Sequence, residues 1–196
     1  MAAHLPAVDT RTALLDAAQQ FIQRDAYDGF SFQALADAVG IRKASIYHHF
    51  ESKDAVAIAL LERARDGLSA WAQRQQRRAP PERLRAYCFE LYRDGLGAGD
   101  RLCPAGSFGA GWSHHSPAVQ AAAQAAMAPQ RRFLQQCFRD GLGDGSLRAP
   151  PGCAAEACGD WFAATVQGAL LTARPLGGAA FFEAVCATAL AAVIRA

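Results

Sequence analysis

Only two lysines occur in the chain, Lys43 and Lys53, and they lie close together beside Arg42. Contact with phosphate depends on local positive charge more than on a high overall pI. The formal net charge is only +2. The first 53 residues hold five basic side chains (Arg11, Arg24, Arg42, Lys43, Lys53) against six acidic ones (Asp9, Asp16, Asp25, Asp28, Asp37, Glu51). Placement, not composition, therefore points to a polyanion. A second centre of chemistry is Cys103, which precedes a proline in the glycine-rich run GLGAGDRLCPAG. It reads as the start of a helix whose N-terminal dipole lowers a thiol pKa. His114 and His115 follow, but Cys103, His114 and His115 have no recognised metal-ligand spacing, so no metal and no cofactor is assigned. Of the six cysteines, Cys88, Cys137 and Cys186 fall in apolar stripes and read as small buried hydrophobes. Cys153 and Cys158 do not form a CxxC pair. The chain has no glycine-rich phosphate loop, GxSxG elbow or HExxH motif, and the reading is not an enzyme, with no catalytic residue named. The rival reading is a small helical thiol-dependent enzyme or redox protein using Cys103 with His114 or His115.

The cationic cluster is carried by SFQALADAVGIRKASIYHHFESK, Ser31 to Lys53. Ser31 is a helix cap, and Leu35, Ala36 and Val39 recur at helical spacing. Gly40 stops that helix where a left-handed residue is needed. A second helix from Lys43 to Phe50 turns Ile46 and Phe50 inward. Small Ala36 allows a close crossing, and Ile46 plugs the angle between the helices. This is a helix-turn-helix, a unit whose second helix enters the DNA major groove.

Together with the preceding helix, TRTALLDAAQQFIQRDAYDGF, and the following run, ESKDAVAIALLERA, this segment resembles the N-terminal domain of TetR-type (TetR/AcrR-like) transcriptional repressors. The ending IYHHF-x-SK adds to a bare helix-turn-helix pattern. The resemblance implies contacts to double-stranded DNA from Ser31, Gln33, Arg42, Lys43, Ala44, Ser45, Tyr47, His49 and Lys53. Arg or Lys suits guanine O6/N7, Gln suits adenine N6/N7, and Ala can meet a thymine methyl. It also implies release from a near-palindromic operator by a small-molecule inducer. Some TetR-like repressors of electrophile and redox stress carry a reactive cysteine in this region, which extends the inducer class to electrophiles at Cys103.

The whole chain, 196 residues and 52% hydrophobic, lacks sustained period-2 runs, so the fold class is all-α with about nine helices. The expected division is residues 1–52, a helix-turn-helix DNA-binding domain, and residues 53–196, a helical ligand-binding and dimerisation domain. Expected helices run over Thr10–Arg24, Lys53–Gln76, from Pro81 onward, Ala105–His114, a long one from Ser116–Pro117 kinked at Pro129, Ala154–Ala173 and Gly178–Ile194. Trp71, Tyr87, Tyr92, Cys103, Phe108, Trp112 and Phe133 are the candidate ligand-binding residues, although several must be plain core. The last two helices are apolar on more than one face and rich in small residues. The resemblance implies that they pair with their copies in a homodimer, through Trp161, Val166, Leu170, Phe181, Phe182 and Val185. No apolar run is long enough for a membrane span, and MAAHLPAVDTRT has no secretion-signal pattern, so the expected location is cytoplasmic, with no membrane partner.

Overall fold

The computed structural model describes residues 9–97 and 101–195. The stretch MAAHLPAV and the middle of the glycine-rich run, residues 98–100, lie outside the described residues. Among those described there are eight α-helices and a single isolated bridge, Leu147 with Ile194, in place of any sheet. Helix α1, Thr10–Asp25, buries Leu14, Leu15, Ala18 and Ile22 along one stripe. Asp9 occupies its cap position, but its side chain makes no capping bond. In α2, Phe32–Val39, Ser31 Oγ accepts from the Ala34 N–H at 3.2 Å, and Gly40 ends the helix at φ +75°. Only glycine adopts that left-handed conformation without strain.

Helix α3 spans Lys43–Ile46, shorter than the expected run to Phe50. The His49 N–H bonds to the Ile46 carbonyl at 2.8 Å, a three-residue closure that tightens the helix end into turns. Ser52 Oγ then accepts from the Ala55 N–H at 3.1 Å and caps α4, Lys53–Gln75. Helix α5, Pro80–Ala86, runs on through a π-helical segment, Tyr87–Asp94. The helix expected over Ala105–His114 is replaced by two 3-10 turns, Gly106–Gly109 and Trp112–His114. Left-handed Gly111, at φ +69°, separates them, so the helix expected to start just after Cys103 does not form among the described residues. Helix α6, Pro117–Gly143, continues unbroken through Pro129. Helix α7, Ala155–Leu176, admits Pro175 in its last turn, and α8 spans Ala179–Val193. Arg148 caps α8, donating to the carbonyls of Ala191 and Ala192 at 2.5 and 2.8 Å.

In the body α6 packs on α4 and α7, and α7 on α8. A Cβ at Gly159 would stand 2.8 Å from the Gln135 backbone nitrogen, so only glycine permits the observed α6–α7 approach. Two apolar cores result. One joins the π segment to α6, α7 and α8 through Tyr87, Phe138, Phe162 and Phe182. The other joins α1–α3 to the first half of α4, Val56 to Leu61, and also takes in Phe108, Val119, Ala123 and Ala126. The helix-turn-helix unit thus shares its core with residues from the middle of the chain, because three short helices enclose too little apolar surface alone. Half-buried Cys103 packs against both cores.

Candidate nucleic-acid interface and ligand cavity

Helix α3 presents two sides. Ile46 is fully buried in the same core as Leu35 and Ala36, while Arg42, Lys43 and Ala44 are exposed and Ser45 is half-exposed. Among the described residues, Arg42 and Lys43 take part in no ion pair. Tyr47 is 57% exposed, its ring edge-on to Phe32 at 5.2 Å. His49 is half-buried and His48 exposed. Gln33 is exposed but donates to Asp37 at 2.8 Å, and Ser31 is occupied as the cap of α2.

Lys53 stands apart from this row. Its Nζ lies 4.3 Å from the Tyr27 ring centroid and 4.8 Å from that of Phe30, with Asp28 at 4.0 Å. Burial pulls the ammonium pKa down from its ordinary value, while the two neighbouring aspartates oppose the shift. Beside it the Tyr27 hydroxyl donates to Asp54 at 2.6 Å, and burial together with this bond keeps the phenol protonated. Hydrogen bonds from Ser116 and then Tyr27 hold the Asp54 carboxyl below the usual range. Buried His115 completes the cluster, its ring 4.8 Å from Tyr27 and its Nε2 3.2 Å from the Phe108 carbonyl. Tyr27, Asp54 and His115 therefore connect the helix-turn-helix unit to the body. The sequence paired His115 only with Cys103 and gave Asp54 no role, since nothing in the spacing of Tyr27, Asp54 and His115 along the chain announces a shared site.

A second connection lies at the end of α1. The Leu102 N–H donates to the Gln23 carbonyl at 2.7 Å, and the Gln23 amide returns a bond to the Leu102 carbonyl at 3.3 Å. Arg174 of α7 donates to the carbonyls of Arg24 and Gln23 at 2.9 and 3.3 Å. Residues next to Cys103 are in this way tied to the last turn of α1.

A cavity of about 280 Å³ opens between α1, α4, the π segment and α6. Of the expected ligand residues it brings together Tyr92 and Cys103. Tyr87 and Phe108 are packed as core, at 0% and 1% exposure, and Trp71 stacks edge-on to Phe133 at 5.1 Å. Trp112 lines a separate groove of about 550 Å³ with Met127 and Arg131. The Tyr92 hydroxyl lies 3.8 Å from Cys103 Sγ. Gln130 and Gln167, which bond to Tyr92 at 3.0 and 2.7 Å, were missed at the level of sequence. A signal existed: Gln130 shares one helical stripe with Phe133, Leu134 and Cys137, all apolar. Among the described residues no group of three His, Cys, Asp or Glu side chains is placed to hold a metal.

All six cysteines are free, and Cys88, Cys137 and Cys186 are fully buried. Burial pushes the Cys137 thiol up to about 12, and Cys88 is raised by its partner Cys186 and by burial, so both stay protonated. On the C-terminal hairpin, Val166, Leu170 and Phe182 fill the core of the single chain and offer no surface to a partner. Their positions on the inward faces of α7 and α8 correct the expectation that they form an interface. Trp161, Leu171 and Leu176 are exposed at 41%, 60% and 58%, and Phe181 and Val185 are half-buried. No helix among the described residues is long and apolar enough to cross a membrane.

Residues 14–60 match the family described as bacterial regulatory proteins, tetR family. An HTH-type transcriptional repressor of Mycobacterium tuberculosis is 32% identical over 65 residues, a match spanning 33% of this chain and only 35% of that protein's length. Over the whole chain, the structure resembles a TetR-family transcriptional regulator from Agrobacterium tumefaciens, with TM-score 0.88, 28% identity, and 95% of this chain and 98% of that one covered. A TetR regulator from Legionella pneumophila has the same fold, with TM-score 0.84, 22% identity, and coverage of 97% and 100%. So does the reduced form of Escherichia coli NemR, with TM-score 0.77, 22% identity, and coverage of 96% and 99%.

Proposed function

We propose that this chain, which belongs to the TetR family of bacterial regulatory proteins, is a homodimeric transcriptional repressor released from its operator by a small molecule. The observation that carries the reading is α3 itself: a helix pinned by buried Ile46 that holds Arg42, Lys43 and Ala44 out to solvent. Arg42 and Lys43 supply bidentate or point-charge contacts to guanine edges and phosphates, and Ala44 meets a thymine methyl. Ser45, Tyr47 and His49 extend the contact along the groove, with Ser31, Gln33 and Lys53 at its margins. Near-palindromic sites follow from two-fold symmetry, since two such helices must stand roughly 34–36 Å apart. Exposed Trp161 and Leu171 on α7, with Phe181 and Val185 at the edge of α8, support pairing of the C-terminal hairpins. Such a reader works in the cytoplasm, where the DNA is.

Release requires a ligand that prefers the DNA-incompetent state, and a tenfold shift needs only ~1.4 kcal/mol of differential binding. The cavity beside Cys103, adjoining both cores, is where such a preference acts on the α1 and α4 connections. An electrophilic inducer adds there covalently: the Cys103 thiol gives its proton to water, its sulfur bonds to the β-carbon of an activated alkene, the alkene electrons move to the α-carbon, and water returns a proton there. A mobility-shift titration on DNA from upstream of the chain's own gene tests the reading, repeated with N-ethylmaleimide on wild type and Cys103→Ser. Operator-specific binding by both proteins is expected, with release by the reagent in wild type alone. Failure to prefer that DNA over random duplex counts against the repressor, and release of the serine variant counts against covalent sensing.

A further inference from the structure

At the heart of the body Tyr92, Gln130 and Gln167 form a closed triangle of hydrogen bonds. The Tyr92 hydroxyl donates to Gln130 Oε1 at 3.0 Å. Gln167 Nε2 donates to the Tyr92 oxygen at 2.7 Å and to Gln130 Oε1 at 3.2 Å. The acceptor end of Gln130 is therefore doubly occupied, while its amide nitrogen has no partner, in a residue only 1% exposed. Buried donors are almost always paired, and one that is not calls for an occupant. Gln130 lies between the 280 Å³ cavity and the 550 Å³ groove and lines both, and of the unpartnered buried polar atoms among the described residues its nitrogen is the one carried by a residue that lines the 280 Å³ cavity.

The rest of the wall defines what fits. Leu68, Leu91, Leu96 and Ala126 are apolar. The guanidinium of Arg63 is already engaged by Asp16 at 2.6 Å, Gln19 at 2.6 Å and the Leu15 carbonyl at 3.1 Å, so it offers no free charge to an anion. Tyr92 is kept neutral by its burial. The volume lies just below the ~300–1,000 Å³ of drug-sized sites, so the occupant is compact. We infer that this cavity binds a small neutral carbonyl compound, a ketone, aldehyde or amide with an apolar body, whose oxygen accepts a hydrogen bond from Gln130 Nε2. Ligand class is thereby added to the proposed release mechanism, on which its regulatory meaning rests; the binding itself does not depend on DNA.

The test is calorimetric titration of the full chain with acetophenone and with α-methylstyrene, in which a methylene group replaces the carbonyl oxygen at nearly the same shape. Wild type should bind acetophenone about tenfold more tightly, the effect of satisfying one buried donor. Gln130→Leu should abolish that preference. Gln130→Met, of similar length and without any donor, should abolish it too. Equal affinity for the two probes, heat from neither, or a preference that survives both variants overturns the inference, whatever the operator assay shows. Carbonyl preference through Gln130 with operator affinity unchanged leaves the site standing and contradicts only the release step.

Discussion

The ammonium of Lys53 sits 4.3 Å above the ring of Tyr27, at the joint between the helix-turn-helix unit and the body. A residue that a charge-based reading treats as a phosphate contact is thus also part of the packing between the start of α4 and the segment after α1. A partly exposed cation–π contact is worth ~0.5–1 kcal/mol. Lys53→Ala should therefore lower the melting temperature by about 1–4 °C, whereas Lys43→Ala should leave it unchanged. Calorimetric melting of both variants checks this, and equal melting temperatures would remove Lys53 from the joint.

The neighbouring carboxylate gives the joint an acid limit. Ser116 and Tyr27 depress the pKa of Asp54 in the folded chain below its unfolded value of about 3.9. The unfolded state thus binds more protons in that range. The stabilisation is complete above the unfolded pKa and is lost as pH falls through the folded one. Asp54→Asn removes this dependence, so between pH 5 and pH 3 wild type should lose more stability than the variant. Urea midpoints at the two pH values measure it, and parallel losses would show that Asp54 is not linked to folding.

The local elements were legible where short-range chemistry specifies them. Ser31 and Gly40 cap and end α2 as their side chain and backbone freedom require, and the buried sides of α1 and α2 follow helical spacing. Residues 105–114 were misread as a helix, because Phe108 and Trp112 satisfy a helical interval while Gly109 and left-handed Gly111 break it. The site was only half legible. Exposed residues on α3 lie adjacent in the chain, whereas Tyr27, Asp54 and His115 meet only through folding. Aromatic residues were overcounted as cavity lining, since Tyr87 and Phe108 carry the same apolar signature whether they face a ligand or one another. The same ambiguity placed Val166, Leu170 and Phe182 at an interface they do not reach.

Leu171 is 60% exposed and Trp161 is 41% exposed on the outer face of α7. If that face pairs with its copy, Leu171→Glu forces a charge into an apolar contact and should weaken the dimer about tenfold or more. Sedimentation velocity across a dilution series reads the effect. A variant that stays as dimeric as wild type would place the interface elsewhere.

If α3 reads DNA, Lys43 isolates that contact, being exposed, in no ion pair of the described residues and uninvolved in the core. The most direct measurement is the affinity of wild type and Lys43→Ala for an operator selected from random duplexes and for a scrambled duplex, over a range of salt. The variant should lose operator affinity by about 1–3 kcal/mol if Lys43 meets a base, or lower the salt slope by about one unit if it meets a phosphate. Fold and dimer should be intact in both cases. Unchanged affinity, sequence preference and salt slope in a well-folded variant would contradict the assignment of α3 as the recognition helix.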